Sequence, residues 1–178
     1  MTSEEKMSFL DPDKLVGHFH LEEGMNVADF GSGAGHFALA MARIVGPEGS
    51  INAIDVRKSI LSVLEGHARI EGLVQIKSIE GNLEKSKGST LQDESVDMVL
   101  ISNLLHQAED IDKIIKEAFR ILKKNGKLFV VDWKKDSFLG PKNRISEEEV
   151  RDVVKQNNFT FKRNIDAGNT HYALEFSK

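Results

Sequence analysis

Apolar positions along the chain follow two spacings that alternate from one segment to the next. Short, mostly apolar runs that are typical of buried strands occupy 27–30, 51–54 and 128–131. The segments 37–44 and 111–122 instead repeat apolar residues every three or four positions, which indicates amphipathic helices packed on a sheet. This alternation predicts a Rossmann-like, doubly wound α/β fold whose sheet is mostly parallel and carries helices on both faces.

Capping and turn residues set the expected ends of several helices. Asp11 and Pro12 predict an N-cap and a first-turn proline for a short helix through Val16. The Ser-x-x-Glu spacing that begins at Ser146 predicts a capping box at the start of the last helix. Asn125-Gly126 predicts the end of the helix that precedes the fifth strand.

The last part of the chain changes pattern. Residues 159–161 and 171–176 alternate in strand fashion, and the turn residues Gly168-Asn169 lie between them. This predicts two antiparallel strands, a C-terminal hairpin added to the parallel sheet. The third strand is expected earlier in the chain, at 74–76.

Composition agrees with one compact domain. With 178 residues, 40% of them hydrophobic, the chain can bury a sizeable core, and we interpret 1–178 as a single domain in which 1–20 form an N-terminal cap segment. A formal net charge of −4 gives no general attraction to nucleic acid or to an anionic membrane, so neither is expected as a partner. The absence of cysteine excludes disulfides and thiolate metal sites, and no metal is expected.

The first residues lack the basic and then apolar order of a signal peptide, and no apolar run approaches the length that spans a membrane. The cytoplasm is therefore the expected location. The sequence does not determine the oligomeric state.

Candidate chemistry concentrates where the first strand ends, at Asp29-Phe30-Gly31-Ser32-Gly33-Ala34-Gly35. Alternating glycines can adopt positive φ and let the backbone approach a ligand closely. About twenty residues later a second strand ends on Asp55, the spacing that brings a carboxylate to ribose hydroxyls. The sequence therefore predicts a nucleoside-binding domain.

Asp29, two residues before the first glycine, distinguishes between a diphosphate-containing ligand and a cationic one. Gly33, Gly35 and the helix that follows loosely fit a dinucleotide pattern, but Asp29 would repel a diphosphate, so a cationic ligand suits the loop better. The acid, one residue, and three alternating glycines resemble the first motif of the class I S-adenosylmethionine-dependent methyltransferases. The final antiparallel hairpin agrees with that resemblance and is unusual in dinucleotide dehydrogenases.

The resemblance continues at matching intervals. Residues 80–84 are similar to the family's loop after the third strand, with Asn82 where an Asp is usual. Residues 95–106 resemble the fourth strand and its loop. Residues 120–133 resemble the corresponding segment of the small-molecule branch that includes quinone-type methyltransferases.

By this resemblance the cofactor is S-adenosylmethionine. Asp29 and the backbone of Gly31 and Ser102 would hold its methionine portion, and Asp55 its ribose. Asn82, Leu83 and Val56 would line the adenine. The full predicted cofactor-binding set is Asp29, Gly31, Ser32, Gly33, Gly35, Asp55, Val56, Asn82, Leu83 and Ser102. His106 is the candidate catalytic base, since it is the titratable side chain in the loop after strand four that can take a proton near neutral pH.

The resemblance implies methyl transfer to a small-molecule acceptor that the sequence does not identify. Alternatives are a noncatalytic S-adenosylmethionine-binding regulator or complex subunit, and a protein or RNA methyltransferase. The latter would need an added recognition element or a basic face, and the Asn-Pro-Pro motif of N6-amino enzymes is absent. Arsenite methylation is disfavoured because that chemistry relies on thiolates and the chain has no cysteine.

Several residues keep two interpretations. Asp55 could cap the helix after it, Trp133 could form a substrate wall or pack on a helix, and Arg144 could reach an anionic acceptor or stay solvated. A shallow acceptor pocket is expected between 7–20, 102–106 and 132–138, with the N-terminal segment closing over it. Lys123, Lys124 and other nearby lysines are interpreted as solvated surface, the first two at a helix C-terminus.

Overall fold

In the computed structural model, which describes residues 9–178, the protein forms one seven-stranded sheet. The strands are β1 Asn26–Phe30, β2 Ser50–Asp55, β3 Ile76–Glu80, β4 Val96–Ser102, β5 Leu122–Trp133, β6 Thr160–Ile165 and β7 His171–Ser177. Their spatial order is β3-β2-β1-β4-β5-β7-β6. Strands β1 to β5 run parallel, whereas β7 is antiparallel to both β5 and β6. The predicted doubly wound sheet with a C-terminal hairpin is confirmed.

Helices cover both faces of this sheet, as expected. They are α1 Pro12–Val16, α2 His36–Val45, α3 Lys58–Glu71, α4 Ile111–Ile121 and α5 Glu147–Gln156, with a 3₁₀ helix at Leu105–Gln107. Buried side chains of α1, α2 and α3 share one core with alternate strand residues such as Val27. Those of α4 and α5 share a second core with the residues between, such as Ala28. Asp29 therefore points to the α1–α3 face.

The predicted caps at two helices are present. The Asp11 carboxylate accepts the Lys14 amide at the start of α1. Ser146 and Glu149 form the reciprocal capping box of α5. Residues 1–8 of the predicted cap segment, including part of the proposed pocket boundary and of the closing segment, lie outside the described residues.

Two predicted boundaries are wrong. The third strand begins at Ile76, because Val74 stays 82% exposed and the buried Gln75 side chain donates to the Ala42 carbonyl on α2. Helix α4 ends at Ile121 and the chain becomes extended at once, so Asn125-Gly126 lies inside β5 and is not a helix stop. Lys123 therefore pairs with Asp97 of β4 at 2.7 Å instead of stabilising a helix C-terminus.

Residues 81–95 connect β3 to β4, and all of them lie within the part of the chain that the structure describes. None of them is helical. Buried hydrogen bonds hold it against α4: Ser89 donates from its backbone N–H and its hydroxyl to the Glu117 carboxylate. The Glu84 carboxylate accepts the Asp110 amide just ahead of α4. Residues 81–84 are thereby fixed at the carboxyl edge of the sheet.

Across residues 9–178, none of the helices combines the length and apolar character that a membrane crossing requires.

Candidate functional site

A cavity of about 820 Å³ opens at the carboxyl edge of the sheet, above β1. In the sheet β1 lies between β2 and β4, so the strand order reverses direction at this point. Open α/β sheets bind ligands at such a switch point. We call it the glycine-loop cavity. Its lining comprises Leu10, Pro12, Asp29, Gly31, Ser32, Gly33, Ala34, His36, Phe37, Asp55, Val56, Arg57, Gly81, Asn82, Leu83, Glu84, Ser102, Asn103, Leu104, Gln107, Ala108 and Ile114.

This lining includes nine of the ten predicted cofactor residues, all but Gly35. The loops after β1, β2, β3 and β4 meet there as expected. No residue of β5 lines the cavity. Asp132 at the end of that strand is instead fully engaged with its neighbours.

The three glycines have positive φ, as predicted, at 72°, 53° and 89° for Gly31, Gly33 and Gly35. A Cβ built on Gly33 would meet nothing within 4 Å, so this position faces open space. A Cβ on Gly35 would lie 2.1 Å from the Leu64 side chain of α3. Gly35, one of the predicted cofactor residues, does not line the cavity, and a side chain is excluded there because α3 packs directly on the loop.

Asp29 lies at the cavity floor with only 1% of its surface exposed, and its Oδ2 has no hydrogen-bond partner among the described residues. Burial raises the pKa of Asp29 to about 7, the negative charge of Asp55 adds to the shift, and the Ala38 backbone N–H opposes it. The Ser32 hydroxyl is also buried without a partner. Buried polar atoms left unpaired are costly, so the floor suits a ligand that brings a cation or hydrogen-bond donors.

Asp55 faces the same cavity from the end of β2. Its carboxylate accepts the Gly33 amide at 3.0 Å and the Arg57 amide at 2.9 Å, and it also holds the Arg57 guanidinium. Burial works to raise the pKa of Asp55, but the hydrogen bonds from Arg57 and Gly33 lower it overall. The helix-cap interpretation is wrong, because α3 begins at Lys58 and Arg57 occupies the N-cap position.

Around the expected adenine position the side chains differ in character. Val56 is 57% exposed although it is apolar, whereas Leu83 is buried in the core. The Asn82 Oδ1 accepts the Glu84 amide at 2.9 Å in a local turn. The oxygen predicted to meet an adenine amino group therefore already has one partner, and a carbonyl oxygen can accept a second.

His106, the predicted base, does not line the cavity, although Leu104 and Gln107 on either side of it do. Its Nδ1 lies 2.8 Å from Oδ1 of Asp132 at the end of β5. Asp132 is 1% exposed and also accepts the backbone amides of His106 and Trp133. The pairing was not visible in the sequence, because the two residues meet only through the adjacency of β4 and β5.

A second set of polar contacts, which sequence reasoning missed, adjoins this pair. Asn103 has φ of 52° and its Oδ1 lies 3.0 Å from Nε2 of the buried His171. The other ring nitrogen of His171 lies 2.9 Å from the Thr170 hydroxyl. Burial, together with the charges of His106 and Lys134, lowers the pKa of His171 to about 4, so its ring is neutral at pH 7. Only the insertion of β7 beside β5 brings His171 to the loop after β4.

Two residues have structural roles that differ from both interpretations. Arg144 donates to the carbonyls of Lys135, Ser137, Leu139 and Pro141, so its guanidinium holds its own loop together. Trp133 packs on the His171 ring with centroids 4.0 Å apart, and Gly140 lies close against the indole. Trp133 is thus neither a wall of the glycine-loop cavity nor packed on a helix.

Comparisons with known proteins agree with this geometry. A family model described as a methyltransferase domain matches residues 21–177. The crystal structure of a SAM dependent methyltransferase from Aquifex aeolicus is 26% identical, covers 95% of this chain and 90% of that chain, and superposes with a TM-score of 0.84.

Two curated proteins are similar over part of their length. An arsenite methyltransferase from Aquipseudomonas alcaligenes is 30% identical over 131 residues, which are 71% of this chain and 38% of that protein. A ubiquinone/menaquinone biosynthesis C-methyltransferase from Vibrio vulnificus is 32% identical over 116 residues, 65% of this chain and 44% of that protein. The chain thus spans less than half the length of these relatives.

Proposed function

The chain belongs to the class I S-adenosylmethionine-dependent methyltransferase family, and we propose that it binds S-adenosylmethionine and transfers a methyl group from it to a small molecule. The observation that carries the proposal is the buried Asp29 carboxylate, whose Oδ2 is unpartnered at the floor of the glycine-loop cavity. The cofactor supplies an activated methyl group on a cationic sulfonium. The remaining task of the protein is mainly to bind and orient both molecules.

The residues present fit this cofactor. Asp29 would pair with the ammonium of the methionine portion, and the hydroxyl of Ser32 would gain a partner. The space above Gly33 admits the ligand without contact to a side chain. Gly31 and Ser102 line the same cavity, and their backbone groups would complete the methionine contacts.

The nucleoside would occupy the β2 and β3 side. Asp55 is proposed to take the ribose hydroxyls, with the Arg57 guanidinium, 63% exposed, moving aside. Val56, Leu83 and Asn82 would border the adenine, where Val56 would lose its exposure to water.

A small-molecule acceptor is supported by the relatives, whose names refer to arsenite and to quinone biosynthesis. Thiolate-dependent arsenite chemistry does not transfer to these 178 residues, which contain no cysteine. A noncatalytic binder of the same cofactor is the second candidate. It is distinguished by incubating the protein with methyl-labelled S-adenosylmethionine and a metabolite mixture, and measuring whether label leaves the cofactor.

Calorimetry with S-adenosylhomocysteine tests the donor site itself. The wild-type protein should bind it, and Asp29→Asn should weaken binding at least tenfold, because the ammonium loses its anionic partner. Asp152→Asn, on the exposed side of α5, is the matched control and should leave binding unchanged. Heat with a nicotinamide dinucleotide and none with S-adenosylhomocysteine would overturn the proposal.

A further inference from the structure

Five side chains gather beside the glycine-loop cavity, at the carboxyl ends of β4 and β5 and the start of β7. We call them the strand-end cluster: Asn103, His106, Asp132, Thr170 and His171. Asn103 lines the cavity directly, and His106 follows three residues later across a tight turn closed by Leu104 and Gln107. In each of two hydrogen-bonded chains, a buried group from a neighbouring strand orients one residue of this loop.

The first chain fixes the protonation pattern of His106. Both oxygens of Asp132 accept hydrogen bonds, so the carboxylate is held in one orientation. A carboxylate only accepts, so the Nδ1 of His106 carries the proton and its Nε2 keeps a free lone pair. That Nε2 has no hydrogen-bond partner within residues 9–178 and is not a buried atom. His106 can therefore take a proton from a molecule outside the protein.

The second chain fixes the side-chain amide of Asn103. Its Oδ1 accepts from Nε2–H of His171, which requires that the neutral His171 ring accept the Thr170 hydroxyl proton at Nδ1. The oxygen of Asn103 is thereby used inside the protein. Its Nδ2 is left as a hydrogen-bond donor at the cavity. The strained backbone of Asn103 is held by its amide, which donates to the Val131 carbonyl at 2.9 Å.

We propose that the strand-end cluster is the acceptor subsite, and that it takes a molecule with a hydroxyl nucleophile beside a second oxygen. The hydroxyl donates to Nε2 of His106, and the neighbouring oxygen accepts from Nδ2 of Asn103. The two residues are three positions apart in a loop whose turn is closed by the Gln107 amide and the Leu104 carbonyl, so a small molecule with two adjacent oxygens is the shape that this subsite would take. This assignment rests on the proposed function, because it needs a methyl donor in the adjoining cavity.

Methylation of a hydroxyl oxygen requires a base, and His106 is placed to act as one. As an electron pair of the hydroxyl oxygen forms the new bond to the methyl carbon, the hydroxyl proton passes to Nε2 of His106, and the pair of the broken C–S bond stays on sulfur. Asp132 stabilises the imidazolium that results. A nucleophile without a proton, such as a tertiary amine, would need no base. The other charged group facing the cluster, Lys134, is tied to the Gly168 carbonyl at 2.8 Å, so a fixed cation for an anionic acceptor is not offered.

The test uses catechol, which carries two adjacent hydroxyls, and phenol as its matched one-oxygen control. Each is titrated into ¹⁵N-labelled protein saturated with S-adenosylhomocysteine, with saturation checked by calorimetry for every variant. Catechol should bind at least ten times more tightly than phenol and shift Nε2 of His106 and Nδ2 of Asn103. 2-Methoxyphenol, whose second oxygen can only accept a hydrogen bond, should share this preference over phenol in the wild type and lose it in Asn103→Asp, which keeps the oxygen of Asn103 and tolerates the same backbone.

The results separate the two proposals. Failure of S-adenosylhomocysteine to bind at all would refute the donor site. Normal binding of S-adenosylhomocysteine with no preference for catechol over phenol, or with a preference for 2-methoxyphenol that survives Asn103→Asp, would overturn the acceptor subsite alone.

His171 and Thr170 act as positioning residues, and a spectroscopic readout tests them. The ¹⁵N spectrum of His171 should show the Nε2–H tautomer. Thr170→Val should mix the tautomers and reduce the catechol preference, and Thr170→Ser, which restores the hydroxyl, should recover both. An unchanged tautomer and an unchanged preference in Thr170→Val would refute this role.

Discussion

The glycine-loop cavity and the strand-end cluster share one edge of one sheet but differ in how their polar groups are satisfied. The cavity floor leaves Asp29 Oδ2 and the Ser32 hydroxyl buried without partners. In the cluster, Asp132 and His171 are equally buried, and each has its hydrogen bonds within the protein. The first region is therefore completed by its ligand, whereas the second holds reactive groups in one geometry beforehand.

This difference has an energetic meaning. Unpaired buried groups disfavour the empty protein, so ligand binding at the cavity recovers free energy that folding alone does not. Groups already paired gain little from binding but lose little freedom at the moment of reaction. Variants on the cavity side should change affinity for the donor, and variants in the cluster should change acceptor binding and turnover.

The largest effect should come from Asp132→Asn, which keeps the size of the side chain but removes the carboxylate that orients His106. Methylation of catechol, the acceptor probe, should slow roughly 100-fold or more, which is the range that a general base ordinarily contributes. S-adenosylhomocysteine affinity should stay within about twofold, because Asp132 does not line the cavity. Single-turnover kinetics and calorimetry measure the two quantities. A parallel loss of both would erase the distinction between the regions.

Asp29→Asn should act in opposite directions on stability and binding. The pKa of about 7 means that the folded, ligand-free protein holds a proton that the unfolded chain releases near pH 4. Ligand-free stability should therefore fall as pH rises from about 4 to 7, by on the order of 4 kcal/mol, and the Asn variant should lack this dependence. Urea unfolding at pH 4 and pH 8 measures it.

The affinity for the ligand should also depend on pH through the Asp29 carboxyl. Since the ammonium of the ligand requires an ionised Asp29, the affinity of the wild-type protein for S-adenosylhomocysteine should rise with pH up to about 7 and then level off. A wild-type affinity that is flat between pH 5.5 and 7.5 would contradict the assigned partner.

A pair of glycine substitutions separates ligand space from packing space. Gly33→Val places its side chain in open cavity and should weaken S-adenosylhomocysteine binding about 100-fold, with a stability loss of about 1–2 kcal/mol from the left-handed backbone. Gly35→Val meets the buried Leu64 and should lose a further 1–3 kcal/mol of stability. Equal stability losses in the two variants would show that α3 does not pack on Gly35 as described.

The same pair shows what the sequence can predict. The acid, the alternating glycines and the hairpin pattern, with the resemblance that they support, identify the fold and nine of the residues that line the cavity, because those signals are local in the chain. Nothing local distinguishes Gly33 from Gly35, since the difference depends on where Leu64 lies. His106 pairs with Asp132 of β5, and Asn103 pairs with His171 of β7, so only the strand order reveals these two contacts. Prediction of the helix end at Ile121 failed for a similar reason, because pairing with β4 extends the chain from Leu122.

Asp55→Ala should reduce S-adenosylhomocysteine affinity by roughly tenfold, as expected for one charge-assisted acceptor of ribose hydroxyls. The fold should persist, although the Gly33 amide loses its acceptor. Calorimetry measures the affinity and thermal unfolding provides the control. An unchanged dissociation constant would assign Asp55 to holding the loop alone.

The smallest effect, and the one opposite in sign, should come from Arg57→Ala. The guanidinium occupies both oxygens of Asp55, which the ribose is proposed to need, so binding must first displace it. Because Arg57 is mostly exposed, the ion pair contributes at most about 1 kcal/mol, and its removal should raise S-adenosylhomocysteine affinity by no more than about fivefold. Arg57→Lys, which keeps the charge without the two-pronged contact, should fall between. A weaker affinity in Arg57→Ala would show that Arg57 contacts the ligand itself, and that the β2 side of the cavity, like the strand-end cluster, is already arranged before its ligand arrives.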